Sequence, residues 1–149
     1  MRPPLPVSRG DAFDLTVFLR AADLTVNGIG EPEVRVWIDL DPDGRILGST
    51  GFELDGEDAL LRSVAVHPSV RGNGRGTELG RFALDQAACL GATRAWLFSR
   101  RSGPFWQNLG FELAETPALA AALAGTHQVM AFPASGQLRY ETAWLRPLP

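Results

Sequence analysis

A glycine-rich loop joins an apolar run to a helical one within residues 60–80, and no other stretch restricts the fold as strongly. It reads Leu-Leu-Arg-Ser-Val-Ala-Val-His-Pro-Ser-Val-Arg-Gly-Asn-Gly-Arg-Gly-Thr-Glu-Leu-Gly. The apolar run stops at Pro68, and Gly72, Gly74 and Gly76 follow in a loop that carries Arg71 and Arg75. Beyond it, Leu79, Phe82, Ala83, Gln86, Ala87 and Leu90 recur at helical spacing, with Gly91 as the stop. Glycines let a backbone approach a ligand closely. Free N–H groups at a helix N-terminus, helped by the helix dipole, favour negative charge. The stretch therefore predicts a strand, a seat for a pyrophosphate, and a helix.

Strands precede the loop. Val34, Val36, Ile38 and Leu40 alternate with Glu33, Arg35, Trp37 and Asp39, which is strand periodicity. Asp41-Pro42-Asp43-Gly44 is a turn in which proline presets φ and glycine accepts a positive one. A second strand at 45–54 pairs back, Asp55-Gly56 turns again, and a third strand at 59–66 completes an antiparallel meander. Ahead of it, Leu5-Pro6-Val7 suits a short edge strand, and Ser8 with Asp11 suits a helix start. Leu15, Phe18, Leu19 and Ala22 then predict an amphipathic helix. Residues 23–32, with Asn27-Gly28-Ile29-Gly30, form a loop that is either a plain connector or the border of a cleft.

After the loop's helix, 94–98 is apolar on both faces, as expected of a buried strand beside a crossover helix. Ser102-Gly103-Pro104 opens a helix that Gly110 closes. Residues 111–114 predict a strand and 117–124 a helix. Alternation at Leu138, Tyr140, Thr142 and Trp144 predicts a last strand. This order implies an α+β fold with a mixed sheet: an antiparallel front half and one right-handed strand–helix–strand crossover at its centre.

The 149 residues suit one domain, 1–149, and 45% apolar against 21% charged residues is a globular composition. A net charge of −3 argues against nucleic acid as a partner. The single cysteine, Cys89, cannot form an intrachain disulfide, which fits a reducing compartment. The N-terminus lacks the apolar run of a signal peptide, and no stretch reaches the roughly 18 apolar residues of a membrane span. The expectation is a cytoplasmic protein with neither membrane nor nucleic-acid partners.

Three phosphate loops compete with a plain glycine turn. A Walker A loop needs a lysine after its last glycine; Thr77 follows Gly76, and the chain contains no lysine. A dinucleotide fingerprint needs G-x-G-x-x-G in a parallel fold, whereas Gly72, Gly74, Gly76 and Gly80 follow a meander. The third is a coenzyme loop. Arg71-Gly72-Asn73-Gly74-Arg75-Gly76 resembles the (Arg or Gln)-x-x-Gly-x-(Gly or Ala) signature of the GNAT N-acetyltransferases. Val64-Ala65-Val66-His67-Pro68 is similar to the end of that family's fourth strand. Phe105-Trp106-Gln107-Asn108-Leu109-Gly110-Phe111 is similar to its phenylalanine-tyrosine-x-x-leucine-glycine-phenylalanine segment after the fifth. The likeness covers about residues 5–115.

That resemblance implies a mostly antiparallel sheet of about six or seven strands flanked by helices and splayed between the fourth and fifth. It implies acetyl-CoA as co-substrate, no metal, and acetyl transfer by direct attack of a small-molecule amine, such as an amino acid; a homodimer is compatible with it. The N–H groups of Gly72, Asn73, Gly74, Arg75, Gly76 and Thr77 would hold the pyrophosphate, with Arg71 or Arg75 adding a charge-assisted contact. Val64, Ala65 and Val66 would pair with the pantetheine amides and offer an N–H to the thioester oxygen. Ser99, Phe105 and Trp106 would border the other wall, while Arg100 and Arg101 either meet a nucleotide phosphate or are solvated.

The amine must lose a proton, so a base is sought. Glu53, near the end of the strand before the signature strand, is the first candidate, by a turn expected to face the cleft, and Glu57 the reserve. Trp106 stands where the family often has an acidic tyrosine. Either Tyr140, the sole tyrosine, reaches in from the last strand, or no dedicated acid is used. Arg62 either holds a substrate carboxylate or makes a structural ion pair. His67 is expected to be structural, His127 to line a pocket at most, and Cys89 to be packed on its helix. Residues 51–53, 59–66 and 129–135 are also similar to the arsenic-resistance branch of the family, with Phe132 where a cysteine is common there. Two other functions stay open: a silent acetyl-CoA-binding module and an acetyltransferase for protein termini or lysines.

Overall fold

The computed structural model describes residues 3–136 and 140–149. Among the described residues seven strands form one sheet: β1 (Leu5–Pro6), β2 (Arg35–Leu40), β3 (Ile46–Asp55), β4 (Asp58–Val66), β5 (Arg94–Phe98), β6 (Glu112–Ala114) and β7 (Ala143–Pro147), in the order β1-β2-β3-β4-β5-β7-β6. The helices are α1 (Ala12–Ala21), α2 (Arg75–Cys89), α3 (Gly103–Asn108), α4 (Thr116–Ala122) and α5 (His127–Ser135). Every strand pair is antiparallel except β4–β5. The expected mixed sheet and front meander are both present.

Local chemistry explains the turns. Asp41 Oδ1 accepts the N–H groups of Asp43 and Arg45, each at 2.9 Å, and Gly44 takes a φ of 84°, which closes β2 onto β3. The sheet buries apolar side chains on both faces. Leu61, Ala95 and Leu97 pack with Ala83 and Leu84 of α2 and Trp106 of α3. Leu60 and Trp96 pack on the other face with Leu119, Leu123 and Val129 of the α4–α5 region. Leu15 and Leu19 of α1 cover Val34, Val36 and Ile38. Gly80 lets α2 approach α3: a Cβ there would lie 2.9 Å from Leu109 Cδ1.

The central pair sets the architecture. β4 and β5 are bonded only over Asp58–Arg94, Ala59–Ala95 and Leu60–Trp96. Asp58 clamps this end, accepting from Arg94 Nε and Nη2 at 2.8 and 3.1 Å and from Trp96 Nε1 at 2.9 Å. Five residues on, Ser63 has a φ of 61° and the β3–β4 register shifts between Ser49 and Gly51. The two strands part beyond Leu60 and Trp96, and this bulge bends β4 along the parted stretch.

Three local expectations change. The last strand begins at Ala143 rather than at Leu138; residues 137–139 lie outside the described residues, and Tyr140 precedes the strand. Pairing of 143–147 with β5 sets this strand, not the upstream alternation. Helix α5 was not anticipated, because His-Gln-Val-Met-Ala-Phe-Pro-Ala-Ser carries no apolar stripe. Cys89 is exposed at the end of α2 rather than packed, since Ala83, Leu84 and Ala87 form the buried face.

The Asp58 clamp is testable. Asp58→Ala leaves Arg94 and the buried Trp96 indole without their acceptor, so the unfolding free energy in urea should fall by about 2 to 3 kcal/mol.

Candidate active site

Beyond Leu60 and Trp96 the separation of β4 from β5 opens a cleft of about 680 Å³. The β4 bulge beside it is held from behind, where Ser49 Oγ donates to the Ser63 carbonyl at 2.6 Å. Val64, Ala65 and Val66 line one wall, and Ser99, Phe105 and Trp106 line the other. Trp106 is buried edge-on between Phe105 and Phe111, with ring centroids 4.8 and 5.5 Å away. Ser99 is tied on all sides: its N–H donates to Thr142, its carbonyl accepts Trp144 Nε1, and its hydroxyl accepts Ser102 N–H.

The glycine loop closes one end. His67 Nδ1 accepts Ser69 N–H at 3.1 Å, a structural role. Gly72 and Gly74 have φ of 88° and 83°, and a Cβ on either would meet nothing within 4 Å. Asn73 Oδ1 accepts Arg75 N–H at 3.2 Å. The N–H groups of Gly72, Asn73, Gly74, Gly76 and Thr77 find no acceptor among the described residues. Five open donors at the start of the 15-residue α2 fit an anionic ligand such as a pyrophosphate. The two loop arginines differ. Arg75 forms an ion pair with Asp39 of β2, while Arg71 donates from Nε to the Val66 carbonyl at 3.2 Å with no carboxylate beside it among the described residues. Arg71 is therefore the arginine with charge to offer at the loop.

The other end holds a buried polar junction. Glu53 is 2% exposed and is absent from the cleft lining. Its Oε2 accepts Arg62 Nη1 at 2.9 Å and Gln128 N–H at 3.2 Å, and its Oε1 accepts His127 N–H at 2.6 Å. The expectation of a base at the cleft rim is thus corrected: β4 runs from its turn toward the cleft, so the β3–β4 turn lies at the closed end. Exposed Glu57 lies in that same turn, its carbonyl accepting Thr93 N–H at 2.8 Å, and is no reserve. Tyr140 is likewise corrected as the acid, since it is 61% exposed and lies outside the cleft lining. It precedes β7 and is not carried inward by a strand.

Arg62 does line the cleft. Burial lowers its pKa and Glu53 opposes that shift; a guanidinium stays charged at neutral pH regardless. Its Nη2 reaches the Thr25 carbonyl and its Nε the Ser63 hydroxyl, both at 3.4 Å. The 23–32 loop thus borders the cleft, through Asp23, Leu24 and Thr25. His127 Nε2 lies 3.8 Å from Glu33 and outside the lining. Arg100 pairs with Glu141 at 3.7 Å, and Arg101 pairs with Asp23 across the mouth. Thr25, Gln128 and Glu141 were missed from the sequence. Only the loop signal at 23–32 pointed toward any of them.

The model of the acetyltransferase (GNAT) family matches residues 6–111. None of the curated proteins matches the sequence. Among solved structures, a GNAT-family acetyltransferase from Staphylococcus aureus Mu50 is similar, with a TM-score of 0.79 at 14% identity over 99% of both chains. N-acetylglutamate synthase from Neisseria gonorrhoeae, complexed with coenzyme A and N-acetyl-glutamate, has a TM-score of 0.74 at 19% identity, covering 97% of this chain and 34% of that one. Rv2747 from Mycobacterium tuberculosis, in complex with CoA and NLQ, has a TM-score of 0.70 at 15% identity over 96% and 97%.

Glu53→Gln should not act as a simple loss of a base. It leaves Arg62 buried without its counter-charge, so urea unfolding should show a loss of about 3 to 5 kcal/mol.

Proposed function

Since the chain belongs to the acetyltransferase (GNAT) family, we propose that it N-acetylates a small amino acid with acetyl-CoA. The observation that carries this reading is the joining, in one cleft, of five open loop N–H groups with the buried Arg62. Acetyl-CoA supplies an acetyl group activated as a thioester. The chain's own residues bind and orient. The loop N–H groups and Arg71 receive the pyrophosphate. The free edge of Val64, Ala65 and Val66 receives the pantetheine arm and offers an N–H to the thioester oxygen. Phe105 and Trp106 exclude water from the opposite wall.

Arg62 orients the acceptor. Each terminal nitrogen of its guanidinium uses one N–H on Glu53 or Thr25, which leaves one N–H on each for a carboxylate. The amine nitrogen bonds to the acetyl carbon, the carbon–sulfur bond breaks, and the amine proton passes to water. With Tyr140 outside the cleft, the sulfur leaves as thiolate and is protonated by solvent. A thiol pKa of about 8.5 makes that a workable departure. The N-acetyl-glutamate held by the Neisseria enzyme accords with an acceptor of this class. Phe132 packs on Phe98 with ring centroids 4.9 Å apart, so this wall presents an aromatic ring where a cysteine is common in the arsenic-resistance branch, and no arsenic chemistry is proposed. No helix among the described residues is long and apolar enough to cross a membrane, and the proposed setting is the cytoplasm.

A silent acetyl-CoA-binding module is the second reading, favoured by Trp106 at the tyrosine position and by the exposure of Tyr140. Two measurements separate the readings. Acetyl-CoA should raise the melting temperature of the wild type, and Gly74→Glu should weaken its binding by about tenfold or more, near 1.4 kcal/mol. Free thiol should then appear when amino acids are added. No thermal shift in the wild type removes the coenzyme reading; a shift with no thiol release across an amino-acid panel favours the silent module.

A further inference from the structure

Gln128 sits on the first turn of α5 and lines the cleft while only 9% exposed. Its backbone N–H is held by Glu53 Oε2 at 3.2 Å and its Nε2 donates to Thr25 Oγ1 at 2.8 Å. Thr25 in turn accepts Arg62 Nη2 through its carbonyl. Gln128 and Arg62 thus share two partners, Glu53 and Thr25, and stand side by side. Yet Gln128 Oε1 is buried with no hydrogen-bond partner among the described residues. Leaving a buried acceptor unpaired is costly, and a polar wall of a cleft keeps one when a ligand completes it.

We infer that Gln128 Oε1 accepts a hydrogen bond from the amine that is acetylated, and so selects a neutral amine beside a carboxylate. This rests on the acetyl-transfer reading above. The carboxylates around the site are already matched with arginines: Glu53 with Arg62, Asp23 with Arg101, Glu141 with Arg100. The amine therefore meets a neutral carbonyl. A carboxylate there would stabilise the ammonium form, which has no lone pair to attack with. An amide oxygen takes one N–H of the neutral amine and leaves its lone pair free. Turning the amide over would present Nε2, a donor, to a ligand whose acceptor, the carboxylate, is already taken by Arg62.

The test is steady-state thiol release by the full chain over a range of amino acid and pH. Gln128→Ala should raise the amino-acid KM by about tenfold or more, equivalent to 1.4 kcal/mol, with the acetyl-CoA KM within about twofold. Gln128→Glu keeps an acceptor oxygen, so its KM should rise less. Its kcat/KM profile should move to higher pH, because the new carboxylate raises the pKa of the bound amine. A merely structural role predicts lowered stability with no displaced profile. An unchanged amino-acid KM in Gln128→Ala overturns the assignment. So does a Gln128→Glu variant as impaired as Gln128→Ala at every pH, which would identify Nε2 as the working group. If Gln128→Ala does not fold, the Gln128→Glu profile decides alone. A wild type that binds acetyl-CoA but acetylates no amino acid overturns the proposed function, and this assignment with it.

Discussion

The carboxylate of Glu53 ties the β3–β4 hairpin to the start of α5, which no strand pairing brings to it. It lies on β3, pairs with Arg62 on β4, and takes the first two backbone N–H groups of α5. Each partner needs it. A buried guanidinium must have a counter-charge, and a buried helix start must have acceptors for its N–H groups. The carboxylate in turn needs several donors to replace its lost hydration. α5 itself has little amphipathic drive and is placed as much by this junction as by Val129 and Phe132. This wall of the cleft is therefore a consequence of one charge. The buried pair need not add net stability, because its attraction is offset by desolvation. What it supplies is a fixed position for Arg62 and Gln128.

The opposite half of the site is built from the backbone. Asp58 zips β4 to β5 at one end, and beyond Leu60 and Trp96 the strands part, with β4 bent at the Ser63 bulge. A parallel pair bonded over three positions and then released leaves strand-edge groups facing the cleft. Unpaired edges in most sheets are covered or blunted. This one lies in the sheet's centre, shielded by α2 and α3, where an extended ligand can add to it as a strand would. The glycine loop continues the same principle with N–H groups at a helix start.

That division explains what could be read from the sequence. Backbone recognition needs glycines, a proline stop and a helix period, and those leave marks in sequence: Gly72, Gly74, Gly76, Pro68 and the 79–90 stripe were sufficient for the loop, its strand and its helix. The meander was equally legible because Asp41-Pro42-Asp43-Gly44 and Asp55-Gly56 are turns with a mechanism. The Ser63 bulge was not legible, since serine has no special tolerance for positive φ and tertiary bonds hold it there. The insertion of β7 between β5 and β6 is a choice of pairing partner, which alternation cannot specify.

Side-chain recognition leaves weaker marks, and the misplaced catalytic expectations show why. Glu53 is expected at the cleft from its place beside a turn, and Tyr140 as the sole tyrosine, yet both depend on which way a distant segment folds back. Glu53 is inward because α5, about 75 residues downstream, brings its helix start to it. Arg62 lines the cleft and also makes the ion pair with a neighbouring strand that was its other expectation; strand alternation fixes its face independently of that event. A polar residue on the strand that forms the cleft is thus read more securely than one on the elements closing over it. Gln128 belongs to the second kind: neither its residue type nor its neighbours single it out. Only the accounting of its hydrogen bonds does, with Nε2 satisfied, the backbone N–H satisfied and Oε1 left over.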